Sequence, residues 1–182
     1  NSAQTAIERV RHHITPEDMV ELSRYRAGEL DITASVPSEA FAQMKKERPD
    51  ELRVSPYLAV YYYGFNLARP PFRDNPKLRQ ALSMAIDRET LTEKIMGRGE
   101  MPAYGWVPPG IESYESRQFS YARLSREERH TRARELYREA GYSDAQPLQI
   151  ELRYNTSEAH KRIARPVQFM WQDVLGVQTT LI

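Results

Sequence analysis

The chain has 182 residues, enough for one domain or two small pieces, and its 40% apolar content is sufficient for a real core. Twenty-six basic residues stand against 25 acidic ones, a net charge of +1, which supplies no field for nucleic acid or an anionic membrane. Without cysteine there is neither a disulfide framework nor a thiolate metal site, and no apolar run approaches the roughly 20 residues that span a bilayer.

The N-terminus lacks the apolar stretch of a signal peptide, and Asn1-Ser-Ala3 reads as a cloning remnant. Thr15-Pro-Glu-Asp18 is a helix start, with Thr15 as cap, Pro16 in the first turn and two acids at the positive end. This helix is expected to turn Met19, Leu22 and Tyr25 inward and to stop at Gly28. Residues 30–33 are predicted as a strand, 34–37 as a loop and 38–46 as a helix capped by Ser38; 52–54 form another short strand.

The β-branched and aromatic content of residues 58–65 predicts a strand. Alternation there separates Tyr62 from Tyr61 and Tyr63; the plainest reading is three packing rings with wet hydroxyls. After a turn at Arg69-Pro-Pro-Phe72, Leu78, Leu82, Ala85 and Ile86 draw an apolar helical stripe. Asp87 then caps a helix that buries Leu91 and Ile95 and stops at Gly97 and Gly99. The loop over residues 99–110 is rich in Gly, Pro and aromatics, and costly to order unless its rings pack or bind something.

Ser125-Arg-Glu-Glu128 is a capping box for a helix through Ala140, whose mixed charges, His130 included, read as a solvated face. Alternation of Leu148, Ile150, Leu152 and Tyr154 against polar neighbours makes a strand. A helix from about Ser157 follows, with Ile163, Val167, Met170, Trp171 and Val174 on one face, Pro166 as an expected kink and Gly176 as its stop. Residues 177–182 form a further strand, so the C-terminal part is a βαβ crossover with parallel strands. The sequence stops inside that strand, so it is expected to be a piece of a longer protein.

No phosphate-binding loop, dinucleotide fingerprint or nucleophile elbow is present, and no residue is singled out as catalytic. His12-His13 has no partner at ligand spacing and reads as surface or tag-adjacent rather than metal-binding. His160 stands apart. It lies beyond a strand's C-terminal end and in the first turn of a helix, where α/β sheets open crevices and anions are favoured; it could donate to a carboxylate, or be a half-exposed histidine without a role.

Six segments, in order, resemble one family. They are Arg24-Tyr-Arg-Ala-Gly-Glu-Leu-Asp-Ile32, Pro56-Tyr-Leu-Ala-Val-Tyr-Tyr-Tyr63, Pro70-Pro-Phe72, Leu78-Arg-Gln-Ala-Leu-Ser-Met-Ala-Ile-Asp-Arg88, Gly99-Glu-Met-Pro-Ala-Tyr-Gly105 and Tyr154-Asn-Thr-Ser-Glu-Ala-His-Lys161. The chain resembles the oligopeptide-binding proteins of bacterial ABC importers, the family 5 extracellular solute-binding proteins. The oligopeptide and murein-peptide branch fits better than the dipeptide branch. The resemblance implies an α/β chain, part of a two-lobed type II periplasmic-binding-protein fold with a mixed sheet and flanking helices. Residues 1–58 would end the first large lobe; residues 59–182 would cross the hinge and begin the second.

Implied with it are an oligopeptide ligand, ABC-transporter permease subunits as partners, a periplasmic or lipid-anchored location, and neither cofactor nor catalysis. No nucleic acid and no membrane insertion of this segment are expected. Tyr62 matches a cleft-lining tyrosine and His160 a histidine that holds the ligand's C-terminal carboxylate. Thr33, Ala34 and Ser35 match a cleft-facing loop, one residue shorter here. Met96 stands where some relatives have a lysine, Ala59 where some have a cysteine, and the anchor for the ligand's amino terminus lies beyond Ile182. Some transcription regulators carry a similar region, so a sensor domain is the alternative.

Overall fold

A computed structural model describes residues 6–55, 57–115 and 117–182. Residues 1–3, expected above to be a cloning remnant, and Pro56, which opens one of the six family segments, lie outside the described residues. The chain divides into two compact units, Asn1–Leu52 and Arg53–Ile182.

The first unit is built on helices α1 (Asp18–Arg26) and α2 (Ser38–Glu47). Leu22 from α1 and Ala40 and Met44 from α2 form a small core, with Tyr25 and Val36 against it. The Tyr25 hydroxyl donates to Glu51 at 2.6 Å, and Arg48 pairs with the same carboxylate at 3.0 Å. Several expectations shift here. Thr15 does not cap α1: Glu17 holds that position without a side-chain bond, and Thr15 Oγ1 accepts from Arg24 instead. Ser38 is the first helical residue, behind Pro37 at the cap position. Met19 is exposed rather than inward. The strands expected at 30–33 and 52–54 do not form; these residues are irregular, without a ladder partner among the described residues.

The second unit holds the larger core. Asn75 caps α3 (Pro76–Met84) by accepting from the Leu78 amide at 3.2 Å, with Pro76 in the first turn as its fixed φ allows. Leu78, Ala81, Leu82 and Ala85 are fully buried, so the stripe read from the sequence is the core face. Asp87 caps the next helix through the Thr90 amide at 3.0 Å. That helix, α4 (Arg88–Thr90), passes at once into a π-helical turn, Leu91–Met96, ended by Gly97 at φ 65°. Ser125 and Glu128 complete the capping box of α5 (Arg126–Glu139).

Strands β1 (Gln149–Leu152) and β2 (Gln178–Leu181) pair in parallel around α6 (Glu158–Leu175), with Gln149 opposite Gln178 and Leu152 opposite Leu181. This is the expected βαβ unit. Its helix buries Ala164, Val167, Trp171 and Val174, and Trp171 Nε1 donates to the Leu82 carbonyl at 2.9 Å, fastening α6 to α3. Pro166 lies within α6, which runs unbroken from Glu158 to Leu175. The strand expected at 58–65 is absent for the same reason as its smaller counterparts.

His130 corrects a further expectation. It is half-buried, and Nε2 is enclosed without a hydrogen-bond partner. Burial first, then the charges of Arg134 and Arg126, hold the imidazole below its usual range, only partly offset by Asp87. The folded state therefore binds fewer protons here than the unfolded chain, so this contribution to stability is complete above the unfolded value and is lost as pH falls below about 6.5. Thermal melts of the full-length protein between pH 7 and 5 should fall on acidification, and His130→Gln should flatten that fall; an identical pH profile for the variant would refute the assignment. Asp87 acts in a lower window: burial pulls its carboxyl up, but bonds from Thr90 and Arg126 outweigh this and hold it below the usual range. Leu82→Ala should destabilise by about 2–5 kcal/mol, read as a lower denaturant midpoint at unchanged slope.

Candidate functional site

β1 ends at Leu152, and the chain runs through Tyr154 and Asn155 before α6 begins. Ser157 occupies the cap position of α6 without a side-chain bond. Asn155 takes over part of that role: its Oδ1 accepts from the Ser157 amide at 3.2 Å. The same oxygen lies 2.5 Å from His160 Nδ1. Because the Ser157 N–H identifies that atom as the acceptor, the hydrogen between Asn155 and His160 sits on Nδ1. Nε2 of the neutral ring is then an acceptor. It donates only when the ring is an imidazolium.

Three tyrosines in sequence divide their contacts. Tyr61 stacks obliquely on His160, with centroids 4.9 Å apart, and meets Tyr63 edge-on at 5.5 Å. Tyr63 packs against the core. Burial, and secondly the adjacent Tyr61 phenol, push Tyr63 well above the usual tyrosine range, so it stays neutral. Tyr62 turns elsewhere and meets the Trp106 ring at 4.5 Å. Alternation thus survives in residues 61–63 without a strand: His160 is brought to Tyr61, while Tyr62, 59% exposed, pairs with Trp106. On the far side of α6's first turns, Arg162 donates to the Ile95 carbonyl at 3.1 Å, placing a cation beside the backbone that leads into Met96.

The loop carrying Trp106 is ordered by its neighbours. Arg88 donates to the Ala103 carbonyl at 2.9 Å and lies 5.0 Å from the Tyr104 ring centre. The buried Tyr104 donates to Glu89 at 2.7 Å, and Glu89 also receives Arg129 at 2.9 Å. Gly105 passes so close to the Arg117 carbonyl that a side-chain carbon would collide with it. Tyr104 therefore packs into the core, whereas Met101 is exposed.

Thr33, Ala34 and Ser35 belong to the first unit. There the Ala34 amide donates to Glu21 at 3.1 Å and the Ser35 hydroxyl to Asp18 at 3.1 Å, so both groups are tied to α1. Sequence reasoning had no means of finding Asn155, Tyr61 or Trp106 as neighbours of the expected residues, although each lies inside or beside a family segment. Among the described residues, no group of three or more His, Asp or Glu side chains is placed to hold a metal ion.

A parallel βαβ unit with a histidine and exposed aromatics beyond its strand's C-terminal end is the build of an α/β ligand-binding lobe. Residues 1–182 match the bacterial extracellular solute-binding proteins, family 5 Middle, and the chain belongs to that family. It is similar to the periplasmic oligopeptide-binding protein OppA of Escherichia coli (strain K12), 40% identical over 183 residues, taking in 100% of this chain and 34% of that protein. The solved structure of the Escherichia coli murein tripeptide binding protein MppA matches at TM-score 0.83 and 39% identity, over 90% of this chain and 32% of its own. Haemophilus influenzae OppA in complex with RPPGFSPFR matches at TM-score 0.79 and 36% identity, over 91% of this chain and 33% of its own. The chain spans about a third of the length of the curated relatives it matches. Its α/β fold is that of these periplasmic binding proteins.

The bond to Asn155 sets the tautomer of His160. Nitrogen NMR of the ring should show hydrogen on Nδ1, and Asn155→Ala should move the population toward the Nε2–H form; an unchanged tautomer in the variant would show that Asn155 does not direct the ring.

Proposed function

We propose that the chain is the middle of a periplasmic receptor that binds oligopeptides, murein peptides among them, and delivers them to the permease of an ABC importer. The observation that carries this reading is the match, over 91% of the chain, to an OppA solved with a bound peptide. The relatives named above are all periplasmic binding proteins, which favours a receptor over a regulator's sensor domain. Among the described residues no helix is long and apolar enough to cross a membrane.

In this reading residues 1–58 close the first lobe, residues 59–182 cross the hinge and open the second, and hinge closure buries the ligand. Binding and release need no bond-breaking step and no cofactor. An extended peptide offers main-chain donors and acceptors that any sequence shares, so affinity comes from the backbone and the termini while roomy wet pockets take varied side chains. His160 receives the ligand's C-terminal carboxylate through Nε2; Tyr62 lines the path of the peptide, with Thr33, Ala34 and Ser35 as a further cleft-facing loop. With Nδ1 held by Asn155, Nε2 is the ring atom left for the carboxylate.

Calorimetry on the full-length protein tests this. A short peptide should bind more tightly with a free carboxylate than with an amidated terminus, and His160→Ala should erase most of that difference. The loss of a charge-assisted hydrogen bond, about 1.5–3 kcal/mol, corresponds to about 10–150-fold in affinity. Equal affinity of wild type and His160→Ala for the free-carboxylate peptide would remove His160 from the site, and absence of all peptide binding would overturn the receptor reading.

A further inference from the structure

His160 is held by two contacts of different kinds. Asn155 Oδ1 meets Nδ1 at 2.5 Å, and the Tyr61 ring lies against the imidazole with centroids 4.9 Å apart and planes at 43°. A single hydrogen bond does not fix a ring. The last torsion of a histidine side chain is broad, so the imidazole can swing about the line from Nδ1 to Oδ1 and carry Nε2 with it. An aromatic ring against the imidazole removes that freedom, because the swing would either break the ring contact or drive the two rings together. Tyr61 is itself braced. It is 45% exposed, but it also meets Tyr63 edge-on at 5.5 Å, and Tyr63 is packed on the core of the second unit. A line of contacts therefore runs from the core through Tyr63 and Tyr61 to His160, and none of it depends on Asn155.

We propose that Tyr61 is a positioning residue for ligand binding: by bracing the imidazole plane it aims Nε2 of His160 at the peptide's C-terminal carboxylate. The proposal rests on the receptor reading above, in which His160 meets that carboxylate, and deepens it. A hydrogen bond weakens steeply as its angle closes, so a ring free to swing would meet the ligand in the right direction only part of the time and would have to be ordered on binding. A braced ring has that ordering done before the ligand arrives. The ring of Tyr61 suffices for this, since its contacts with His160 and Tyr63 are between rings. The hydroxyl is not needed, which separates this role from a direct hydrogen bond to the peptide.

The test uses the full-length protein and tri-alanine in two forms, with a free carboxylate and with an amidated C-terminus. The ratio of the two affinities isolates the terminal contact. In wild type the free acid should bind more tightly; Tyr61→Ala should shrink the ratio by about three- to tenfold, and Tyr61→Phe should keep it. Affinity for the amide should stay within about twofold in both variants. Adding Tyr61→Ala to His160→Ala should change the ratio no further, as expected of a residue that acts through another. In the ligand-free protein, NMR relaxation of the His160 ring should report a fixed imidazole in wild type and Tyr61→Phe and a mobile one in Tyr61→Ala. A ratio unchanged in Tyr61→Ala, an equal loss for acid and amide, or a ring as rigid without Tyr61 as with it would overturn the proposal. If the ratio is insensitive to His160→Ala, the assignment of the carboxylate to His160 falls and this proposal with it; if His160→Ala erases the ratio and Tyr61→Ala does not, the proposal falls alone.

Discussion

The second unit depends on one buried arrangement: a tyrosine ring held between two guanidinium groups. Arg88 and Arg129 lie 5.0 and 5.4 Å from the centre of Tyr104, and the phenol is bonded to Glu89, which in turn binds Arg129. Arg129 is 4% exposed and would be strongly destabilising without these partners. The carboxylate, the ring face and the Leu124 carbonyl together offset its desolvation. Burial first, then the bond to Glu89, hold the Tyr104 phenol above the usual range, so it serves as a neutral donor. Three pieces of the chain converge here: α4, the aromatic loop and the start of α5. Trp106 stands where it does because Tyr104, two residues earlier, cannot move.

Legibility of the sequence followed the range of the forces involved. Asp87 and Ser125 were readable as caps because a cap acts over three residues, and α3 and α6 because their apolar periodicity is written along one helix face. β1 and β2 were readable from alternation and from the crossover rule. Residues 30–33, 52–54 and 58–65 have strand-like composition but no ladder partner among the described residues, and composition cannot supply one. The π-helical turn at Leu91–Met96 leaves no periodic signature, since its bonds differ from those of an α-helix by a single residue. His130 was misread because its helix is mostly charged; burial there is decided by what α5 packs against.

The candidate site shows the same division. His160 drew notice from its place beyond a strand and in a helix's first turn, and the family resemblance added Tyr62. Their physical neighbours, Tyr61 and Asn155 for the one and Trp106 for the other, come from contacts that tertiary structure creates. Expecting Tyr62 on its own face was sound, yet its consequence was to send it to Trp106 and leave Tyr61 to the histidine. Ala34 and Ser35 carry a different lesson. A loop matched by family position has its amide and hydroxyl engaged by Glu21 and Asp18, groups that no motif mentions.

Asn155 serves two neighbours with one oxygen, the Ser157 amide that begins α6 and the imidazole of His160. In evolutionary terms this couples positions 155 and 160. A shorter side chain at 155 would strip the helix start and the ring together, a longer one would overshoot both, and an aspartate would keep both acceptor contacts while adding a negative charge beside the histidine. Drift at either position is therefore constrained by the other, and a lineage that changed His160 would be expected to rewrite the first turn of α6 as well.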